Sequence, residues 1–137
     1  MYGTGAVLPA LEACGLEATH PVMRKAVGWL DSVQQAGGGF GEDIRSYHET
    51  AVRGRGAATA SQTAWALLGY VAAGEAQRGS ARRAADYLCA EQEANGDWSE
   101  QHFTGTGFPT DFMIRYHLYR LYFPLMALGR LRERLNA

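Results

Sequence analysis

Apolar residues recur along the chain at helical spacing, three or four positions apart, in segments that are separated by glycine-rich stretches. The segment that follows Pro21 carries one such stripe and stops at a glycine cluster that begins at Gly37. The stripe consists of Val22, Ala26, Trp29 and Val33. Because a first helical turn tolerates proline, the pattern predicts an amphipathic helix that begins near Pro21.

Other segments show the same helical period. Ser80 precedes a stripe of alanines and leucine and is a candidate N-cap for that helix. Thr59 or Ser61 is the candidate N-cap of a nearly all-apolar helix, which runs to Ala73 and is stopped by Gly74. We expect this middle helix to be buried on most sides.

The carboxyl end of the chain predicts one more helix, over roughly Leu121 to Arg134, with Pro124 in its first turns. Its last residues are rich in arginine, which is favourable near the negative end of a helix dipole. Since no segment shows the alternation typical of strands, the fold class predicted from the chain is all-α.

The chain contains an internal repeat with an offset of 58 residues. The segment near 25–41 aligns without a gap with the segment near 83–99, so that Gln34 falls on Gln92. The same offset places Trp65 opposite Phe123 on one side and Val7 on the other, through apolar pattern more than identity. Two kinds of helix therefore alternate, inner and outer, which gives about five main helices in one domain over 1–137.

The composition of the chain argues against two classes of function, nucleic-acid binding and membrane spanning. The 13 Lys and Arg residues are balanced by 14 Asp and Glu residues, and only one residue is Lys. We expect no nucleic acid partner, because phosphate contacts require a basic surface. No stretch is long and apolar enough to cross a bilayer, and the first residues lack the features of a secretory signal, so a cytoplasmic setting is expected.

The residues that commonly bind metals are dispersed. Cys14 and Cys89 stand far apart and are interpreted as buried thiols. The four histidines have no ligand spacing, so hydrogen-bonding or surface roles are expected and no metal site is predicted. Glu42 and Asp43 with Arg45 could be an acid/base pair, but they are interpreted as an ion pair at a loop end. The basic run of Arg78, Arg82 and Arg83 is interpreted as a solvated helix face.

The second copy of the repeat contains the motif QxxxGxW, which resembles the QW repeat of triterpene cyclases. Its residues are Gln92, Gly96 and Trp98. The first copy has Gln34, Gly38 and Phe40, so that its aromatic residue lacks an indole N–H and we expect it to be the weaker clamp. Segments along the whole chain, including SQTAWAL and TGTGFP, resemble squalene-hopene cyclases in the same order.

The resemblance implies a fold. In that family the helices form a double ring, an (α/α)6 barrel, and these segments belong to the carboxyl-terminal part of the catalytic domain. The chain would then be a partial barrel with three inner and two outer helices. A glutamine amide can bind backbone groups at the start of the next helix while the aromatic ring stacks over it, so each motif would join two helix ends.

The resemblance also implies a chemistry, the acid-initiated cyclisation of squalene, or a similar polyprenyl hydrocarbon, to hopene or hopanol without a cofactor. Aromatic faces that stabilise carbocations would line the cavity. The residues that align with this lining are Phe108, Phe112, Tyr116 and Tyr119, with Ile114 as an aliphatic shape-setter and Tyr2 near the acid. Trp65 is interpreted as an ordinary core residue.

The proton donor of the family, a DxDD motif, does not occur in these residues. It would have to come from the remaining amino-terminal part of the cyclase or from another chain. The alternative hypothesis is a catalytically inactive helical-repeat fragment that binds a partner or an apolar ligand. We further expect self-association of the isolated chain, and peripheral or monotopic association with the cytoplasmic side of a membrane through parts outside it.

Overall fold

The computed structural model describes residues 1–107 and 112–137. It contains five α-helices: α1 (Tyr2–Ala13), α2 (Pro21–Val33), α3 (Ala60–Ala72), α4 (Gly79–Ala90) and α5 (Tyr119–Asn136). A small antiparallel hairpin joins β1 (Gly105–Thr106) to β2 (Met113–Ile114), with Gly105 opposite Ile114. The loop between α2 and α3 contains two 3₁₀ turns, Ile44–Tyr47 and Thr50–Val52. The prediction of an all-α fold with five main helices is confirmed.

Helix α3 is the centre of the core, as its apolar sequence predicts, and all of its residues are buried. It packs most extensively against α1 and α5, and α4 covers a further side. The close approach of α1 depends on Gly5, because a methyl group there would lie 2.6 Å from the carbonyl oxygen of Trp65. Thr59 caps the helix by accepting a hydrogen bond of 3.2 Å from the backbone N–H of Gln62, and Gly74 follows its end in the left-handed conformation.

The predicted core face of α2 is wrong by one position. The helix begins at Pro21 as predicted, but its buried residues are Met23, Val27 and Leu30, whereas Val22 is 51% exposed. The other members of the predicted stripe, Ala26, Trp29 and Val33, flank the core and are partly buried. Both rows have helical spacing, and only the packing against α3 distinguishes them.

The start of α4 also differs from the prediction. The helix begins at Gly79, and the hydroxyl of Ser80 donates a hydrogen bond of 2.7 Å to Asp31 instead of capping its own helix. Arg78 belongs to the same cluster, with an ion pair of 2.6 Å to Asp31, so this part of the basic run is not simply solvated. Asp31 also accepts a hydrogen bond of 2.9 Å from the hydroxyl of Tyr70 in the buried helix α3. This cluster therefore ties α2, α3 and α4 together.

Two further findings concern the whole chain. Cys14 and Cys89 are both exposed free thiols, so the prediction that they are buried is wrong. Each sits at the end of its helix, where the chain turns toward solvent. Among residues 1–107 and 112–137, no helix combines the length and the apolarity that a transmembrane span requires.

Candidate functional site

The amino-terminal ends of α1, α3 and α5 meet in a cluster of aromatic rings. Trp65 of α3 lies at its centre and contacts Tyr2, Tyr119 and Phe123 edge to face. The ring centroids are 5.1 Å apart for Tyr2, 5.8 Å for Tyr119 and 5.5 Å for Phe123. Such contacts place the positive edge of one ring against the negative face of the next. Three helices separated in sequence thus present one aromatic surface.

Tyr116 extends this surface from the loop that precedes α5. Its ring stacks on Tyr119, with the centroids 4.5 Å apart and the planes inclined by 18°. It also lies against the backbone of Gly105 in β1, where a methyl group would be 3.1 Å from the ring. The hairpin and the start of α5 therefore hold Tyr116 between them.

The cluster borders two hollows. One, of about 340 Å³, is lined by Tyr2 and Trp65 on its aromatic side and by Gln62, Glu42 and Arg53 on its polar side. The other, of about 180 Å³, lies between the hairpin and the helix ends. Its lining residues are Tyr2, Tyr47, Thr104, Gly105, Tyr116 and Tyr119. The structure thus brings three of the residues singled out by the sequence, Tyr2, Tyr116 and Tyr119, to one hollow.

Two further residues singled out for the cavity, Phe112 and Ile114, lie on or beside the hairpin. Ile114 is half-buried in β2, and Phe112, just before this strand, is 62% exposed. Phe108 lies outside the described residues. The hairpin is held by backbone hydrogen bonds at both ends, from Thr104 N–H to the Ile114 carbonyl and from Gly107 N–H to the Phe112 carbonyl.

Electrostatics keep the aromatic surface neutral. Burial raises the pKa of Tyr119, and the neighbouring Tyr122 and Tyr116 raise it further. Burial also raises the pKa of Tyr122. A tyrosine is already uncharged at neutral pH, so these shifts only widen that margin. The charged side chains near the aromatic cluster lie on the loops. There Asp43 and Arg45 form the predicted ion pair, 3.1 Å long, whereas the Glu42 carboxylate accepts a hydrogen bond from Gly54 N–H instead. The backbone N–H of Arg45 lowers the pKa of Asp43.

The first QxxxGx-aromatic motif joins two helices. The side-chain amide of Gln34 donates hydrogen bonds of 2.9 Å to the carbonyl of Gly38 and to the carbonyl of Ser80 in the first turn of α4. Its oxygen accepts a hydrogen bond from Arg83. Phe40 is fully buried beside Tyr70, with the ring centroids 6.3 Å apart. This is the connection between helix ends that the glutamine predicts.

The second motif makes a more local set of bonds. Gln92 donates a hydrogen bond of 3.0 Å to the carbonyl of Gly96 in its own turn, and Gly96 has a positive φ of 87°. Trp98 is buried, and its indole N–H donates a bond of 2.8 Å to the carbonyl of Leu88. The two copies thus differ in kind: Gln34 reaches another helix, whereas the indole N–H of Trp98 makes a hydrogen bond that Phe40 cannot make. Which of the two is the weaker clamp stays a prediction.

Sequence reasoning missed the part that Trp65 plays. It was interpreted as an ordinary core residue, and it is indeed 3% exposed, but it also organises the aromatic cluster. The signal was present in the offset of 58 residues, which aligns Trp65 with Phe123. On α5 the equivalent residue does contact Trp65, whereas on α1 the contact comes from Tyr2 and not from the equivalent Val7.

Residues with metal-binding side chains are dispersed over the part of the chain that the structure describes. In the described ranges, no three His, Cys, Asp or Glu side chains lie close enough to hold a metal ion. His20 instead caps the start of α2, because its Nδ1 accepts a hydrogen bond of 3.3 Å from the backbone N–H of Val22.

Comparison with known proteins places these features in a family. The model of the squalene-hopene cyclase C-terminal domain matches residues 1–133. The chain is 49% identical to a probable squalene–hopene cyclase of Sinorhizobium fredii over 97% of its length, and 49% identical to a squalene–hopene cyclase of Bradyrhizobium diazoefficiens over 99%. It is 47% identical to that of Alicyclobacillus acidocaldarius over 97%. The chain spans 21% of the length of each of these three relatives.

Proposed function

The chain belongs to the squalene-hopene cyclase C-terminal domain family, with the terpenoid cyclase helical fold that this implies, and on that premise we propose that it is the carboxyl-terminal portion of a squalene-hopene cyclase. In this proposal its aromatic surface is part of the cavity wall. The substrate is squalene or a similar polyprenyl hydrocarbon, and the products are hopene and hopanol. The observation that carries the proposal is the meeting of Tyr2, Tyr116 and Tyr119 at one hollow.

The proposed reaction begins with protonation of a terminal alkene and proceeds through carbocations as rings close in succession. A neutral aromatic face stabilises a nearby cation by about 0.5 to 2 kcal/mol, and more where water is excluded. Phe108 and Phe112 are proposed to stabilise late cations, and Ile114 to shape the product end.

The proton donor is proposed to lie in the amino-terminal part of the cyclase, since DxDD does not occur in these residues. The proposed (α/α)6 barrel would be closed by that part. Apolar side chains exposed on α1 and α5 support this packing. They include Val7, Tyr122, Leu125 and Met126. The same faces support self-association of the chain when it is alone. Association with the cytoplasmic face of a membrane is proposed to depend on parts outside the chain.

The alternative is that the chain is an inactive helical-repeat fragment that binds a partner or an apolar ligand. The missing acid motif is the observation that favours it for the isolated chain. Under this alternative, the hollow beside Tyr116 would bind an apolar molecule without converting it.

A chimera tests the two proposals. The carboxyl-terminal segment of the Alicyclobacillus acidocaldarius relative is replaced by residues 1–137, and the purified protein is incubated with squalene. Gas chromatography is expected to detect pentacyclic product. In the Tyr116→Ala variant we expect a larger share of incompletely cyclised products, because one cation-stabilising face is lost.

The matched control is Tyr87→Ala on the outer helix α4, where the same truncation should lower stability and leave the product ratio unchanged. A folded chimera that forms no cyclised product, under conditions in which the intact relative does, would contradict the proposed function and favour the inactive fragment. Equal product ratios for the two tyrosine variants would contradict the cavity-wall role.

A further inference from the structure

Glu100 is a carboxylate buried in the loop that leads from the second motif to the hairpin. Only 6% of the surface of Glu100 is exposed. One carboxylate oxygen accepts a hydrogen bond of 3.0 Å from the backbone N–H of Ser61, and the other accepts a bond of 2.7 Å from the Ser61 hydroxyl. Burying an unpaired carboxylate is costly, and these two hydrogen bonds at the positive end of α3 offset that cost.

The neighbours of Glu100 show what this contact fixes. Two residues before it, Trp98 is held by its hydrogen bond to Leu88. Immediately after it, Gln101 accepts a hydrogen bond of 3.1 Å from Arg115, which follows β2.

Further along the same loop, Gly105 lies against the ring of Tyr116. The segment from Glu100 to Tyr116 is thus attached to the central helix at its first residue and to the aromatic surface at its last.

The first repeat carries the same device. Glu42 stands 58 residues before Glu100, two positions after the buried Phe40, as Glu100 stands after Trp98. Its carboxylate lies beside Met1 at the start of α1, and it accepts a hydrogen bond of 2.8 Å from Gly54 N–H. Each loop therefore places a carboxylate against the start of an inner helix.

Resting on the proposed function, we propose that Glu100 is a positioning residue for the cyclisation. It does not touch the substrate. Its bonds to Ser61 fix the loop on the first turn of α3, and the loop fixes the hairpin that holds Tyr116 against Tyr119. Loss of the contact leaves the aromatic rings present but displaces the Tyr116 face from the position that a late cation requires.

The first test measures product ratios, which do not depend on how much of the protein is folded. In the chimera, Glu100→Gln retains the side-chain volume and removes the charge, while Ser61→Ala removes one of the two donors. Each variant is expected to raise the share of incompletely cyclised products several-fold over the parent. The double variant is expected to add little to the larger single effect, because both changes remove one interaction.

Asp31→Asn is the matched control, since Asp31 also accepts a hydrogen bond of 2.7 Å from a serine hydroxyl, in a cluster remote from the aromatic surface. It should lower the melting temperature and leave the product ratio at the parent value. A parent-like ratio in Glu100→Gln, or an equal change in Asp31→Asn, would overturn the proposal. If Glu100→Gln does not fold, the ratio of Ser61→Ala decides in the same way.

The second test needs no activity and separates this proposal from the cyclase proposal. Hydrogen exchange of residues 101–107 and 112–118 is followed by mass spectrometry in the 137-residue chain. Exchange should be several-fold faster in Glu100→Gln than in the parent and unchanged in Asp31→Asn. An inactive chimera with this exchange pattern would overturn the cyclase function alone. Unchanged exchange in Glu100→Gln would overturn the positioning role whether or not the chimera is active.

Discussion

The indole ring of Trp65 meets the phenol ring of Tyr119 edge to face, with their centroids 5.8 Å apart and their planes inclined by 80°. Trp65 belongs to the central helix, and Tyr119 is the first residue of α5. The contact therefore couples the stability of the core to the geometry of the aromatic surface. A change at Trp65 acts on both.

Truncation of Trp65 is expected to be among the most costly single changes in the chain. Trp65→Ala should lower the free energy of unfolding by about 3 to 5 kcal/mol, because it leaves a cavity between α1, α3 and α5. Trp65→Phe should cost less, since it keeps an aromatic ring. Urea unfolding followed by far-ultraviolet circular dichroism measures both. Trp29→Ala, at a partly buried position of α2, is the control, and an equal loss there would contradict the central place of Trp65.

A side chain at position 5 is expected to destabilise the packing of α1 against α3. A methyl group at this position would lie 2.6 Å from the Trp65 carbonyl oxygen, so Gly5→Ala must force α1 away from α3. We expect a loss of about 1 to 3 kcal/mol, as for other overpacked sites. At Gly28, in the middle of α2, no atom lies within 4 Å of an added methyl group.

Gly28→Ala is therefore the matched control, and it should stabilise the chain by about 0.5 to 1 kcal/mol through helix propensity. Thermal unfolding of the two variants side by side measures the contrast. A Gly5→Ala protein as stable as the parent would show that the two helices can separate without cost.

The carboxyl group of Asp31 should make the stability of the fold depend on pH. Burial alone would raise the pKa of Asp31, but its hydrogen bonds, above all from Arg78, outweigh burial and lower the pKa. A carboxyl whose pKa is lower in the folded state stabilises the fold above its unfolded pKa, and this contribution is lost as the pH falls through the folded value.

Asp31→Asn should therefore lower the free energy of unfolding by about 1 to 3 kcal/mol at pH 7, toward the lower end because the Arg78 side chain is partly solvated. The difference from the parent should shrink below about pH 4, where the carboxyl is protonated in the unfolded chain. Urea titrations at pH 7, 5 and 3.5 measure it. A difference that stays constant across this range would exclude the ionised carboxylate as its source.

The two cysteines give a simple chemical test. Both thiols are exposed, so a disulfide-exchange reagent should react with two thiols per chain without denaturant. Cys14→Ser and Cys89→Ser should each remove one equivalent and leave the unfolding free energy nearly unchanged. Reaction only after unfolding would restore the interpretation that they are buried.

The sequence predicted those features that depend on local pattern. The start of α2 at Pro21, the Thr59 cap and the end of α3 at Gly74 follow from the backbone preferences of single residues. The misplaced features depend on contacts between distant segments. Ser80 was expected to cap α4, but Asp31, 49 positions earlier in the chain, takes its hydroxyl.

The same division holds for the candidate site. Resemblance singled out Tyr2, Tyr116 and Tyr119, and the fold brings them together. The sequence does not single out Glu100, because a lone glutamate after a motif carries no local signal of burial, and its partner Ser61 lies 39 positions away. The hairpin was missed as well, since strands of two residues are too short to show alternation.

The complete burial of α3 has a consequence for synthesis of the polypeptide. Translation proceeds at about 5 to 20 residues per second, so the end of α5 emerges roughly 3 to 13 seconds after the end of α3. During that interval one apolar side of α3 has no partner from α5 to cover it. Nascent chains at this stage are open to aggregation, and a chaperone that binds apolar helices would protect them until α5 arrives.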